Sequence, residues 1–374
     1  MECWIGLDAE PEQGPKMPGL HVITWFHDES IFYAHDWRKK GWYHKDAPTK
    51  PYKKGEGASL MIADFVSADF GWLRSPDGKQ SAQRIIRPGK AKDGYFTSND
   101  IQSQAKEAIR ICRECWPQYE HVFIYDNVST HLKCPEDSLS AHRMLKNIPK
   151  EGSTWGIEVT KRDPLIQKPI CNADGSHQKV KIRMGDVRFA DGTPQPFYFP
   201  EGHAHAGVFK GMVTILEEQG FKNMAKVRAE CKGFKCAPGA TSCCRCILYN
   251  QPDFANVPSI LELACKALGV LVIFLPKFHC ELNFIKQCWG YAKWIYQLNP
   301  ESSQEDQLEK NTLDALEAVP LTSMQKFATR SHRFMDAYEQ GLNGRQVAWA
   351  ARKYRGHRVL PVSIMNDLEK VGIV

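Results

Sequence analysis

Three carboxylates stand where a protein could hold a divalent cation. Asp28 closes the run Trp25-Phe26-His27, Asp126 closes His121 to Tyr125, and Glu281 lies in the loop after Val270 to Leu275. Carboxylate oxygens are the ligands that magnesium and manganese prefer, and two such ions can activate a nucleophile and stabilise a leaving oxygen on a phosphodiester. Asn127 and His131 follow Asp126 closely. His131 could orient a phosphate or a metal-bound water, or simply hydrogen-bond its own loop; both readings are open. Glu29 reads as a neighbour of the site, because successive strand residues face opposite sides.

Short buried strands are needed to bring these acids together. His21 to Phe26 reads as a strand with Asp28 at its end, and Ile31 to His35 as its returning partner. Ser59 to Val66 is a third strand, after a basic, glycine- and proline-containing stretch from Lys45 to Gly57. A helix from Asp100 to Trp116 carries the stripe Ile101, Ala105, Ala108, Ile109 and Cys112, with Ser98 or Asn99 as its cap. His121 to Tyr125 and Val270 to Leu275 are the next strands, the latter read as buried. From Asn283, Phe284, Ile285, Cys288, Trp289 and Ala292 recur at helical spacing. The order predicts an α/β fold: a mixed sheet flanked by helices, with a large cysteine-containing insertion and a helical C-terminal region.

At this point the chain resembles a known family. Asp28-Glu29-Ser30, then Asp126-Asn127 with His131, then Leu275-Pro276, Glu281-Leu282-Asn283-Phe284-Ile285, Trp289 and Lys293 look like the DDE transposases of the mariner-type superfamily, and the chain is similar to fungal mobile-element proteins of that type. The resemblance spans residues 21 to 131 and 270 to 297. It implies an RNase H-like catalytic core and two Mg or Mn ions on Asp28, Asp126 and a third acid. DNA, in the family the transposon ends, is the implied partner, and the location is intracellular, nuclear in a eukaryote; a homo-oligomer is an open reading.

One departure cuts against the activity. The family's last motif runs Asp-Leu-Asn-Pro-Ile-Glu, and its final Glu is the third metal ligand. Here that position is Lys286, while Glu281 aligns with the motif's Asp. An ammonium donates hydrogen bonds and cannot coordinate a cation. It would pair with Asp28 or Asp126. Two functions follow: a DDE-type strand transferase or nuclease impaired at its third acid, with Glu281 as a substitute ligand, or an inactive transposase-derived module that binds DNA or protein.

Length and composition bound the rest. The chain has 374 residues, 43% hydrophobic and 25% charged, with net charge +6, enough to permit DNA contact without demanding it. No apolar run reaches membrane-spanning length, and residues 1–20 lack a signal-peptide core. Thirteen cysteines without an export signal read as reduced thiols. Cys231, Cys236, Cys243 and Cys244 are the candidate ligands of a structural zinc, with His203 and His205 as further donors; a loop of free thiols is the alternative. Arg352, Lys353, Arg355 and Arg358 form a basic run suited to a DNA backbone or to solvent. The expected layout is an irregular leader 1–20, core 21–134, inserted subdomain 135–260, core 261–300 and helical region 301–374.

Overall fold

The computed structural model of the chain describes residues 21–36, 56–150, 152–153, 155–164, 169–189, 191–237, 239–299, 304–354, 361 and 363–373. The leader 1–20 and most of the basic stretch 45–57 lie outside the described residues. The chain forms two compact units: one from the described residues up to Lys133 and from Ile260 onward, the other Cys134–Ser259.

The first unit begins with β1 (Val22–Tyr33), which is longer than expected. Asp28 lies inside this strand and not at its end, and Ile31 to Tyr33 continue it. The returning partner is β2 (Ser59–Ser67), antiparallel, with Asp28 opposite Asp64 and Tyr33 opposite Ser59. Both halves of β1 are paired, the first with a parallel strand and the second with β2, so nothing forces a turn after Asp28. β3 (Gly71–Trp72) and β4 (Arg84–Ile86) both pair with β2. Helix α1 (Ser98–Cys115) starts at Thr97, one residue before the expected caps. The Asp100 carboxylate accepts from the Thr97 amide at 2.8 Å and from its hydroxyl at 2.6 Å, a capping arrangement that satisfies an otherwise orphaned donor. β5 (Glu120–Tyr125) then runs parallel to β1 in register Phe26 to Ile124.

The second unit holds two small hairpins, β6 (Ile157–Thr160) with β7 (Lys179–Ile182) and β8 (Val187–Arg188) with β9 (Pro194–Gln195). Its helices are α2 (Gly211–Glu218), α3 (Cys244–Tyr249) and α4 (Pro252–Ala255). Its own core gathers Phe197, Phe209, Met212, Ile215, Leu216 and Leu248.

Back in the first unit, α5 (Ile260–Ala267) leads into β10 (Leu271–Phe274), parallel to β5. β10 is an edge strand, not the buried one expected: Leu271 is 60% and Ile273 44% exposed, while Val272 and Phe274 pack inward. The sheet order β10-β5-β1-β2-β3, with β10, β5 and β1 parallel and β2 and β3 antiparallel, is that of an RNase H-like fold. On one face α1 and α5 cover Ile23, Trp25, Phe65, Phe123 and Tyr125. On the other lie α6 (Ile285–Tyr296), α7 (Glu305–Glu317) and α8 (Leu321–Glu339), over Phe26, Phe32, Ile62 and Ile124. α9 (Gly344–Lys353) and α10 (Ile364–Val371) close the chain over a satellite core of Ala337, Leu342, Val347 and Leu368.

Trp289 is the anchor of α6. It is 3% exposed, with its ring centroid 5.0 Å from that of Trp72, whose indole N–H donates to Leu316 O at 3.0 Å. Removing it takes away the apolar seat that fixes α6, and Lys286 with it, on the sheet. Trp289→Ala should cost roughly 3–5 kcal/mol in urea-induced unfolding; a loss under about 1 kcal/mol would show that α6 is held by something else.

Candidate functional site

Asp28 and Asp126 meet at the edge where β5 stops pairing with β1. The parallel ladder ends at Phe26 and Ile124, so Asp28 and Asp126 both lie two residues beyond it. The helix α6 delivers a third group over them. Lys286 Nζ lies 2.7 Å from Asp28 Oδ1 and 2.8 Å from Asp126 Oδ2, bridging the two carboxylates. Asn283, just ahead of α6, fixes the approach: its amide donates to Asp126 Oδ1 at 2.7 Å and to His27 O at 3.0 Å. Thus one side chain ties the helix entrance to both strands, and the ammonium follows one turn later.

The electrostatics follow from burial. Asp28 is 6% exposed. Burial, opposed by the Lys286 ammonium and reinforced by Glu29 and Asp126, pushes its carboxyl up to about 6. Burial also works against the charge on Lys286, but the two aspartates outweigh it and hold the ammonium with a pKa of about 12. Lys286 is therefore protonated throughout the physiological range. A third acid, Asp64, sits directly across from Asp28 on β2 and is fully buried. Inside the apolar run of β2, no spacing or motif sets this acid apart in the sequence. Asp64 is neutralised by Arg74, whose guanidinium donates to both its oxygens at 3.1 Å and 2.7 Å, with Gln83 adding a bond at 2.8 Å.

Glu281 does not join this site, contrary to expectation. Its Oε1 accepts from the Tyr338 hydroxyl at 2.7 Å and lies 2.8 Å from His279 Nδ1. Ser331 also donates to its backbone carbonyl at 2.9 Å. The short turn Cys280–Leu282 is clamped to α8 by these bonds, and this holds the carboxylate on α8. Among the described residues, Asp28, Asp126 and Glu281 do not bring ligand oxygens to a common point. A two-ion magnesium or manganese centre consequently does not fit these residues: two carboxylates remain, and the volume between them is taken by a cation of the chain itself.

Asn127 is half-buried next to Asp126. His131 is 1% exposed; its Nδ1 is 2.9 Å from Asp126 O and its Nε2 3.3 Å from Glu29 Oε1. Arg352 is exposed on α9. Lys353 is paired with Asp367 at 3.0 Å and lies over the Trp349 ring, so its charge is already engaged. Arg355 and Arg358 lie outside the described residues.

In the second unit four thiols converge, but not the four expected. Cys231, Cys236, Cys243 and Cys246 place their sulfurs within 4.8 Å of one another. Cys244 is excluded: it is buried in the unit's core, with its sulfur toward the carbonyls of Met224 and Val227. The reason is helical geometry. Cys243 caps α3 and its sulfur accepts from the Cys246 amide at 3.4 Å; one turn returns Cys246 to that side, while Cys244 is rotated inward. The C-x-x-C spacing of 243 and 246 was the signal in the sequence. His203 and His205 sit in an exposed turn beside Phe199 and are not part of the group. Such a set of four sulfurs could hold a metal ion.

Comparison with known proteins adds little. Among solved structures, the Mos1 mariner paired end complex with Mn is similar over 29% of this chain and 30% of that one, at 18% identity and a TM-score of 0.23. The Mos1 strand transfer complex is similar over 29% of each chain, at 17% identity and a TM-score of 0.22. The likeness spans under a third of those chains. No protein-family model and no curated protein matches.

The raised carboxyl of Asp28 has a pH signature. The folded chain holds a proton that the unfolded chain releases, so this stabilisation is full below about pH 4 and is lost as pH rises through about 6. Over that interval the unfolding free energy of the wild type should fall by roughly 2–3 kcal/mol relative to Asp28→Asn. Urea titrations of both proteins across the range check it; a pH-independent difference would contradict the burial argument.

Proposed function

We propose that this chain is a transposase-like DDE-domain protein whose metal-assisted cleavage of DNA is impaired, leaving DNA binding as its principal activity. The order of the motifs and the order of the strands support the class. One observation carries the impairment: the Lys286 ammonium lies within 2.8 Å of both Asp28 and Asp126. A magnesium or manganese ion entering there must displace a charged, hydrogen-bonded group and finds two carboxylates where the family has three. In this reading Lys286 stands in for the missing cation electrostatically and does none of its Lewis-acid chemistry.

The DNA partner and an intracellular location, nuclear in a eukaryote, are part of the same proposal. The described cysteines are all free thiols, in keeping with a reducing compartment. A structural zinc on Cys231, Cys236, Cys243 and Cys246 is proposed for the second unit, since thiolate sets of this kind select zinc over hard cations.

Calorimetry, plasmid cleavage and zinc analysis test the proposal. Calorimetric titration with manganese should show binding at least about tenfold tighter for Lys286→Glu than for the wild type, because the exchange removes a positive charge and adds a ligand. Supercoiled plasmid should stay intact with the wild type in either metal; nicking by the wild type would overturn the impaired reading. For the second unit, purified protein should contain zinc that Cys236→Ser loses, with a lower melting temperature. A metal-free preparation whose thiols all react freely would remove the zinc assignment.

A further inference from the structure

Asp28 faces α6, but its two neighbours on β1 face the other way, into the layer under α1. There His27, Glu29 and His131 offer ligand atoms that all lie within 4.8 Å of one another. Neither the Lys286 contact nor the thiol set shares a ligand with this cluster. The tautomers of both histidines follow from their partners. Gln104 donates its amide hydrogens to Ala63 O at 2.9 Å and Ala82 O at 3.0 Å, so its carbonyl oxygen must accept from His27 Nε2, 3.0 Å away. His27 Nδ1 is then a bare lone pair. That atom is fully buried and has no hydrogen-bond partner among the described residues. His131 Nδ1 lies 2.9 Å from Asp126 O, an acceptor only, so it carries the hydrogen there and its Nε2 faces Glu29.

This is the outer arrangement of metal-binding imidazoles: each donates one ring N–H to a carbonyl and turns the other nitrogen to the ion. The spacing agrees. His131 Nε2 and Glu29 Oε1 are 3.3 Å apart, and two ligands of a tetrahedral zinc with bonds of about 2.0–2.1 Å are separated by about 3.3 Å. An ion pair between Glu29 and a protonated His131 accounts for two of the three groups and leaves the dry lone pair of His27 unmatched.

We propose that His27, Glu29 and His131 form a second metal site, behind the aspartates, for a zinc-class transition ion. Two nitrogens and one carboxylate suit zinc and its first-row neighbours better than magnesium. The Glu29 side chain is 24% exposed, which gives the ion its entry and leaves the fourth position toward that opening for a water. Bound there, the ion locks the loop after β5, because His131 also holds the Asp126 carbonyl. The site shares no ligand with the Lys286 contact or with the cysteine cluster.

The test counts zinc on the whole chain after equilibrium dialysis against zinc chloride. Glu29→Gln and His131→Gln should each hold one equivalent less than the wild type, with unchanged far-ultraviolet circular dichroism. Cys236→Ser should instead lose any equivalent owed to the thiols, and keep the one on Glu29. Equal zinc in the wild type and both folded variants overturns the proposal. Should either variant fail to fold, cobalt(II) at saturation on the wild type decides: a population of cobalt with only nitrogen and oxygen donors, resolved by X-ray absorption, is expected. Cobalt bound wholly by sulfur, or not at all, overturns it.

Discussion

An ammonium held between two desolvated carboxylates is the contact on which the rest of this structure depends. Asp28 and Asp126 are brought together by a sheet in which the pairing of β1 with β5 ends at Phe26 and Ile124, two residues before each acid, and Asp28 is almost wholly buried. Two such acids repel each other and lose hydration, and a positive charge between them relieves both costs once Asp28 is ionised. In metal-dependent centres a divalent ion meets that need. Here Lys286 does, at 2.7 Å and 2.8 Å. The apolar stripe Ile285, Cys288, Trp289, Ala292 and Tyr296 sets the rotation of α6, and Asn283 fixes its start, so that the lysine has one place to go.

β1 therefore serves two faces with different chemistry. The face under α6 carries Asp28 and ends in an internal salt bridge. The face under α1 carries His27 and Glu29, with Gln104 of α1 reaching down to fix one imidazole. The two meet at Asp126: its carboxylate accepts from Lys286 and Asn283, and its carbonyl binds His131. Any change in charge on one face is thus felt through a single loop by the other. The neighbouring Asp64 is kept out of this exchange by its bidentate bond to Arg74.

Much of this was legible in the sequence, and the failures have physical causes. The strands before Asp126 and before Glu281 were read from short β-branched and aromatic runs, and α1 from its stripe. Asp28 reads as a strand end because an acid and a serine after an apolar run look like a turn; pairing with β2 on the far half overrides that signal. β10 was read as buried because its residues are all apolar, whereas edge position is a property of strand order and cannot be seen in four residues. Lys286 lies against both aspartates. Glu281 reads as a substitute ligand, but its partner Tyr338, remote in sequence, holds it on α8. Cys246 and not Cys244 completes the thiol set because α3 turns the residue after Cys243 inward and brings the third one back to the same side. The His27 and Glu29 pair was invisible for a related reason: what marks it is a bare imidazole nitrogen, fixed by the distant Gln104.

The central claim is that the chain's own lysine occupies the cation position between Asp28 and Asp126. Anomalous diffraction from crystals of the wild-type chain grown in manganese chloride tests it most directly. The account predicts density for the Lys286 side chain joining both carboxylates and no anomalous peak there. A manganese peak bridging Asp28 and Asp126, with Lys286 displaced, would contradict it.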